Sequence, residues 1–400
     1  MSEHAARTTP REEIERRIRA LQEVLAQRGI DAALILQKTD LFYYSGTIQQ
    51  GVLVVPAAGG PLLLVNRSLA RARTESPLEA VLPLASPREL PARMREAGLP
   101  PPRRIGLELD VLPANLYFFY CGLFDGAEAV DVAGDIRLLR AVKSPWEIER
   151  IREAAALSDR LAGRMPALLR EGMTEVELAG LVEAEARRLG HPGIVRMRLW
   201  GSELFYGHLL SGPSGAVPSY LSSPTGGEGV DPATAQSAGF RRIGRNEPIL
   251  LDYVFVRAGY ISDHARIFSL GPLPGELAAA HEAMLALQRR LREFARPGVP
   301  SGEVYAFALE QAQAAGYGEY FMGHGPERIR FVGHGVGLEL DEFPFLNAGQ
   351  RLALAENMVV ALEPKLVFPG IGVVGVENTH RVTAAGLEPF GRYPDAITVL

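Results

Sequence analysis

The sequence predicts a chain of mixed α/β (α+β) class with two domains, and three features of its 400 residues carry that prediction. Short apolar runs bounded by Gly, Pro or Asn alternate with helical stretches through the first third of the chain, as in an α/β domain. A sharply started helix follows at Ser144. Nearer the C-terminus, two acidic segments have the composition of β-hairpins. We therefore expect a disordered leader over residues 1–10, one domain over 11–140 and a second over 141–400.

The first domain is predicted to begin with an amphipathic helix and to continue with strands. Apolar side chains share one stripe of REEIERRIRALQEVLAQRG before Gly29 ends it, namely Ile14, Ile18, Leu21, Val24 and Leu25. Four later runs are short, apolar and bounded by turn-forming residues, as strands are: DAALILQ, GVLVVP, GPLLLVN and RIGLELD. Helical stretches such as PRELPARMREAG lie between them. This alternation is typical of an α/β domain.

Helix starts in the second domain are marked by capping boxes. Ser144 is a favourable N-cap, Pro145 takes the first helical position, and Glu147 completes the box. Thr174 and Glu177 repeat this spacing. Two further helical stretches are GELAAAHEAMLALQRRLREFA and SGEVYAFALEQAQAAG. The intervening run SGPSGAVPSYLSSPTGGEGVDPATAQSAG is rich in Gly, Ser and Pro without periodicity, which indicates a functional loop or lid.

Composition limits the classes of function. A hydrophobic content of 47% supplies ample core, and a formal net charge of −5 offers no basic excess for a phosphate backbone, so we expect no nucleic-acid partner. The single cysteine, Cys121, cannot form an internal disulfide, which fits a reducing compartment. The N-terminal residues lack the apolar core of a signal peptide, and no run of eighteen apolar residues occurs. We expect a cytoplasmic protein without a membrane partner.

Two pairs of carboxylates lie in the predicted hairpins. In ILLDYVFVRAGYISDHARIF, a turn centred on residues 257–258 would place Asp252 directly opposite Asp263, roughly 5 Å away. In VVALEPKLVFPGIGVVGVENTHRV, Glu363 and Glu377 are equidistant from a Pro-Gly break that suits a hairpin tip. Like charges that face each other in apolar strands are destabilising. A bound cation reverses that effect, because repulsion becomes shared coordination.

A histidine completes the candidate metal site. His334 lies between glycines in FVGHGVGLELDEFP, where the backbone can approach closely. Four carboxylates and one imidazole suit manganese, cobalt or zinc better than a thiol-loving metal. We expect two divalent ions about 3.5 to 4 Å apart that activate a shared water. The alternative is structural, with a hydrogen-bonded histidine and aspartates at turns or edge strands.

These segments carry a family resemblance that spans nearly the whole chain. The sequence resembles the metallopeptidases that include prolidase, aminopeptidase P, methionine aminopeptidase and creatinase, whose catalytic domain is the pita-bread fold. DLFYYSGT and GVLVVP resemble the creatinase-type N-terminal domain, and LLRAVKSPWEIERIREAA resembles the helix that enters the second domain. LLDYVFVRAGYISDHARIF, GHGVGLELDEFP, ALEPK and GVENTHRV resemble the metal-binding motifs, with all five ligand positions filled.

The resemblance implies a metal-dependent hydrolase of the Xaa-Pro dipeptidase or aminopeptidase type, in which metal-activated water attacks a peptide carbonyl. It also implies a homodimer and a peptide or small-molecule substrate. The alternative is a non-peptidase enzyme on the same scaffold, either a C–N hydrolase like creatinase or a lyase like those that cleave dimethylsulfoniopropionate. A catalytically inactive binding module is a further alternative, although modules of that kind lack an intact ligand set.

Three positions depart from the family pattern. Asp341 stands where a second histidine usually follows the metal histidine, Arg330 stands four residues before His334 in place of another, and Ser219 matches a third. An insertion of roughly SSPTGGEGVDPATAQS separates Ser219 from Asp252. We treat Ser219, Arg330 and Asp341 as candidate substrate-binding residues, with Arg330 a bidentate partner for a substrate carboxylate or a surface ion-pair residue.

Other side chains are candidates for proton transfer. Glu363 is expected to shuttle a proton as well as bind metal, as the resemblance suggests. His208 and His324 are candidate proton donors near the metals, with solvated loop histidines as the alternative. His264 is expected to point to the strand face opposite Asp263. Arg266 is expected to support a ligand carboxylate.

Overall fold

The structure is a computed structural model that describes residues 8–203 and 206–400. The chain divides into two compact units, residues 1–140 and 141–400. Most of the expected disordered leader, residues 1–7, lies outside the described residues. No helix in the described part of the chain is long and apolar enough to cross a membrane.

The first unit is built on a mixed six-stranded sheet with the order β4-β3-β2-β1-β5-β6. Its strands are β1 (Ala32–Ile35), β2 (Gly51–Pro56), β3 (Leu62–Val65), β4 (Val81–Pro83), β5 (Arg104–Leu107) and β6 (Glu128–Asp131). Its helices are α1 (Arg11–Gln27), α2 (Lys38–Ser45), α3 (Leu69–Glu75), α4 (Leu90–Glu96), α5 (Ala114–Leu123) and α6 (Ala133–Ala141), the last of which ends one residue into the second unit. Strand β1 pairs antiparallel with β2 and parallel with β5, and buried aliphatic side chains of the strands form the core. The predicted α/β alternation is therefore confirmed.

Two long helices of the second unit begin where the sequence predicted. The Ser144 hydroxyl accepts a hydrogen bond from the Glu147 backbone N–H, and the Glu147 carboxylate accepts one from the Ser144 N–H. Thr174 and Glu177 form the same reciprocal pair. The helices of this unit are α7 (Pro145–Ala162), α8 (Met165–Leu168), α9 (Glu175–Arg188), α10 (Gly275–Phe294) and α11 (Ser301–Ala314).

Three groups of strands make up the rest of the second unit. The sheet orders are β17-β9-β8-β7, β11-β10-β12-β15-β16 and β13-β14. The strands are β7 (Gly207–Ser211), β8 (Ile249–Arg257), β9 (Tyr260–Ser269), β10 (Phe331–Val336), β11 (Leu340–Asn347), β12 (Val359–Leu362), β13 (Lys365–Phe368), β14 (Gly372–Gly375), β15 (Asn378–Thr383), β16 (Gly386–Pro389) and β17 (Thr398–Val399). A bridge between Ala265 and Glu377 joins the first two sheets. That bridge brings the two acidic hairpins together.

The Gly-, Ser- and Pro-rich run adopts no helix or strand between residues 219 and 239, yet it is held by backbone hydrogen bonds. The Gly227 N–H donates to Val217, and the Ser237 N–H donates to Gly226. The Ser237 hydroxyl also donates to the Gly207 carbonyl at the start of β7. The loop is therefore fixed against the strand that precedes the first acidic hairpin.

Candidate metal centre

The first acidic hairpin has a different register from the one predicted. Asp252 faces Ala265, and Asp263 faces Val254, so the two aspartates are not directly opposite each other. The prediction was wrong because the two turn residues are Ala258 and Gly259, both with positive φ, rather than a pair centred one residue earlier. The displacement is two residues, and side chains two apart share a strand face. Both aspartates therefore still point to one face of the sheet.

The second acidic hairpin has the predicted register. Leu362 pairs with Asn378 on one side, and Lys365 pairs with Gly375 on the other. Both pairings place Glu363 opposite Glu377. The Glu377 backbone also exchanges hydrogen bonds with Ala265, two residues beyond Asp263.

His334 brings an imidazole to these carboxylates from β10, where it pairs with Ala361. Its Nε2 lies 3.7 Å from Asp263 Oδ2, 3.7 Å from Glu363 Oε1 and 3.9 Å from Glu377 Oε1. Ligand atoms bound to one ion at about 2.0 to 2.2 Å are separated by distances of this order. Asp263 Oδ1 is buried without a hydrogen-bond partner among the described residues. These donors therefore fit one divalent cation.

Electrostatics also favour a cation here. Burial and the nearby Asp252 raise the pKa of Asp263 to about 7. Burial, Asp263 and Glu363 raise the pKa of Glu377 well above its ordinary value. Buried carboxylates that repel one another are stabilised by positive charge at their shared oxygens.

Lys365 is a member of the cluster that the sequence reasoning missed. Its Nζ donates to Asp252 Oδ2 at 2.7 Å and to Glu363 Oε2 and Glu377 Oε2 at 2.8 Å each. Burial opposes its charge, but the three carboxylates prevail and raise its pKa well above the ordinary lysine value. A signal was present, because Lys365 lies two residues after Glu363 in an extended segment and so shares its face.

The cluster forms the floor of a cavity of about 320 Å³. Apolar side chains of Met197, Phe331 and Leu340 line its walls, and residues 220–223 of the fixed loop line one side. Ligand pockets span roughly 300 to 1,000 Å³, so this cavity suits a small ligand.

Two of the predicted accessory residues lie in this cavity. His208 lines it from β7, where its Nδ1 lies 3.1 Å from the Thr225 hydroxyl. Its buried Nε2 makes no hydrogen bond of good geometry in the described part of the chain, although the Gln236 side chain lies near the ring, and burial lowers the pKa of the imidazole. Asp341 also lines the cavity, with Oδ1 3.5 Å from His334 Nδ1.

Other predicted residues do not reach it. Ser219 caps the local turn at Leu221, since the inserted loop places residues 220–223 at the cavity instead. Arg330 is exposed, because its neighbour Phe331 takes the inward position on β10. His324 is exposed and stacks on Tyr320, with ring centroids 5.7 Å apart. These three residues do not line the cavity, and their substrate-binding or proton-transfer roles stay predictions.

Two residues beside the ligands support the backbone. His264 packs against Gly391 on the face opposite Asp263, as predicted. Arg266 donates to the backbone carbonyl of Glu377 at 2.9 Å rather than to a ligand carboxylate, which corrects the predicted contact. Arg266 therefore fixes the strand that carries the ligand.

Fold and site together define a metalloenzyme of the pita-bread type. Residues 149–384 match the model of metallopeptidase family M24, and residues 17–142 match the creatinase/prolidase N-terminal domain. The chain belongs to metallopeptidase family M24. It is therefore a metallopeptidase, and its family implies divalent metal ions and a peptide substrate.

Individual relatives match over nearly their full length. The probable dipeptidase PepE of Mycobacterium tuberculosis is 27% identical over 394 residues, which cover 96% of each chain. The Xaa-Pro dipeptidase of Pyrococcus furiosus is 26% identical over 374 residues, covering 92% of this chain and 96% of that one. The structure of an Xaa-Pro dipeptidase from Bacillus anthracis superimposes with a TM-score of 0.82 at 25% identity, covering 97% of this chain and 100% of that chain.

Proposed function

We propose that this metallopeptidase hydrolyses the Xaa-Pro bond of short peptides. The observation that carries the proposal is the buried cluster of carboxylates and His334 at the floor of a cavity of only about 320 Å³. The cavity volume is sufficient for a ligand of dipeptide size. Two relatives are named as Xaa-Pro dipeptidases, which favours peptide hydrolysis over lyase or creatinase-type chemistry.

The chain's own residues suit the parts of such a reaction. We assign Asp263, His334, Glu363 and Glu377 as ligands of a divalent ion, which when bound supplies a Lewis acid and lowers the pKa of a water. Glu363 is the proposed proton carrier, because its carboxylate faces the cavity beside His334. The Gly335 carbonyl lies 3.2 Å from His334 Nδ1 and orients the ring, and the Asp341 carboxylate lies 3.5 Å from the same nitrogen.

His208 is the proposed hydrogen-bonding partner of the substrate. Its depressed pKa keeps the imidazole neutral near pH 7, and its Nε2 is buried at the cavity without a hydrogen bond of good geometry in the described chain. A buried polar nitrogen of this kind gains a hydrogen bond when substrate enters. Asp252 binds Lys365 in this arrangement.

Purified chain supplied separately with manganese, cobalt and zinc tests the function. We expect cleavage of Xaa-Pro dipeptides and slower or no cleavage of matched Xaa-Ala dipeptides and longer Xaa-Pro peptides. His334→Ala should abolish cleavage and weaken metal binding, measured by equilibrium dialysis. His208→Gln should lower turnover while metal binding is retained.

Cleavage of methylated amines without cleavage of any proline peptide would overturn the substrate class. A His334→Ala variant that retains full metal affinity would overturn the site. The expected number of two ions stays a prediction, as does their identity as manganese, cobalt or zinc. The position of Lys365 bears on the number of ions.

We further propose the domain limits 11–140 and 141–400, a cytoplasmic location and a homodimer. Light scattering of the purified chain tests the last of these, with a mass near twice 43.4 kDa expected.

A further inference from the structure

Lys365 is one of only three lysines among the 42 basic residues of the chain. Its side chain is 1% exposed, and its ammonium group lies between Asp252, Glu363 and Glu377. The three N–H groups of an ammonium can each serve one acceptor, and three carboxylates are present at 2.7 to 2.8 Å. The cluster therefore holds one cation that belongs to the chain itself.

The backbone around Lys365 fixes this position. Its carbonyl accepts a hydrogen bond from the Met322 N–H at 2.9 Å, and it pairs with Gly375 across the hairpin. A Cβ at Gly375 would lie 2.7 Å from Lys365 Cα and 3.2 Å from its Cγ. The lysine stem therefore occupies space that only a glycine opposite leaves open.

The glutamate oxygens are divided between two positions. Glu363 and Glu377 each turn Oε2 toward Lys365 Nζ. Their Oε1 atoms lie 3.7 and 3.9 Å from His334 Nε2. Each glutamate thus contacts the Lys365 ammonium with one oxygen and faces the His334 imidazole with the other.

The charge of the cluster also favours one divalent ion beside the ammonium rather than two. When a cation is bound and all four carboxylates are deprotonated, they carry four negative charges, of which Lys365 and one divalent ion offset three. A second divalent ion would make the cluster positive and would have to share Asp252 with the ammonium. An ammonium and a metal ion that share one buried carboxylate would repel each other strongly.

We propose that the Lys365 ammonium takes the place of one of the two expected metal ions, so that the chain binds a single divalent ion through Asp263, His334, Glu363 and Glu377. This inference rests on the proposed metal-dependent function. It makes Asp252 a partner of lysine rather than a metal ligand. The positive charge that a second ion would bring is supplied permanently by the sequence.

Manganese binding to the purified chain tests the proposal. Metal content after equilibrium dialysis against Mn²⁺ should be one ion per chain, and the electron paramagnetic resonance spectrum should show an isolated ion without spin coupling. Two ions per chain, or a spin-coupled pair, would overturn the inference while leaving the metal-dependent function intact. No bound ion would overturn the proposed function as well.

Two variants sharpen the result. Lys365→Met keeps the length of the stem and removes the charge, so the metal content should rise from one to two ions per chain with spin coupling. Lys143→Met is the matched control, because Lys143 is also 1% exposed and paired with a carboxylate, that of Glu342. Circular dichroism checks the folding of both variants. A folded Lys365→Met that still binds one ion would contradict the proposal.

Discussion

Gly375→Ala is the perturbation that most directly probes the hairpin carrying Lys365. Gly375 has φ +142, and an added Cβ would overlap the Pro364 carbonyl oxygen and lie 2.7 Å from Lys365 Cα. Both contacts are with backbone atoms, so neither relaxes by a rotamer change. The strained φ costs about 1 to 3 kcal/mol, and forced displacement of packed atoms costs about 1 to 3 kcal/mol more. We expect the free energy of unfolding to fall by about 2 to 6 kcal/mol, with about 4 kcal/mol as the central value.

Gly370→Ala is the matched control within the same hairpin. Gly370 also has positive φ, +69, but a Cβ there would meet nothing within 4 Å. Only the left-handed backbone is penalised, at roughly 1 to 2 kcal/mol. Denaturant unfolding followed by circular dichroism measures both variants, and thermal unfolding should show roughly 10 °C lost for Gly375→Ala. Equal losses in the two variants would refute the steric argument.

Three further predictions concern stability. Ala258→Asn should raise the free energy of unfolding by about 1 kcal/mol, because Ala258 has φ 51 in a two-residue turn that favours Asn-Gly; a loss in denaturant unfolding would contradict this. Ser144→Ala should lower it by about 1 kcal/mol through the lost capping box, and an unchanged denaturant midpoint would count against that role. Burial lowers the pKa of His191 to about 4 and that of His380 to about 3. Below about pH 6.5 these histidines bind protons in the unfolded state but stay neutral in the folded state. The free energy of unfolding should therefore fall between about pH 6.5 and 3. His380→Leu should show a shallower pH dependence than the unaltered chain.

Much of the fold was predictable from local signals. The capping boxes at Ser144 and Thr174 were found as predicted, because a cap requires only residues three positions apart. The register of the first acidic hairpin was not predictable in the same way. Its two-residue turn contains Ala258 with positive φ, where Asn or Gly is usual, so the local sequence carried no strong turn signal.

The candidate ligands were predictable because a register error of two residues leaves a side chain on the same strand face. A slip of one residue would have moved Asp263 to the opposite face. The accessory positions depended instead on matching spacings across an insertion, and the structure places residues 220–223 rather than Ser219 in the cavity lining. The loop turns Tyr220 to the cavity, and Thr225 contacts His208, which is a contact that no spacing rule could supply.

Lys365 bears on whether a set of ligands typical of a two-metal centre binds two ions or only one. Four carboxylates and an imidazole indicate two divalent ions only if no side chain of the chain supplies positive charge at the same oxygens. The ammonium lies 2.7 Å from Asp252, a carboxylate that makes no close contact with His334 among the ion pairs of the described residues. The Lys365 ammonium therefore already supplies Asp252 with a positive charge, so Asp252 needs no metal ion. The remaining donors, namely Asp263, His334, Glu363 and Glu377, are the part of the cluster whose negative charge requires a metal ion. The ligand motif therefore indicates where metal binds, and on our proposal Lys365, two positions beyond Glu363, limits the number of ions to one.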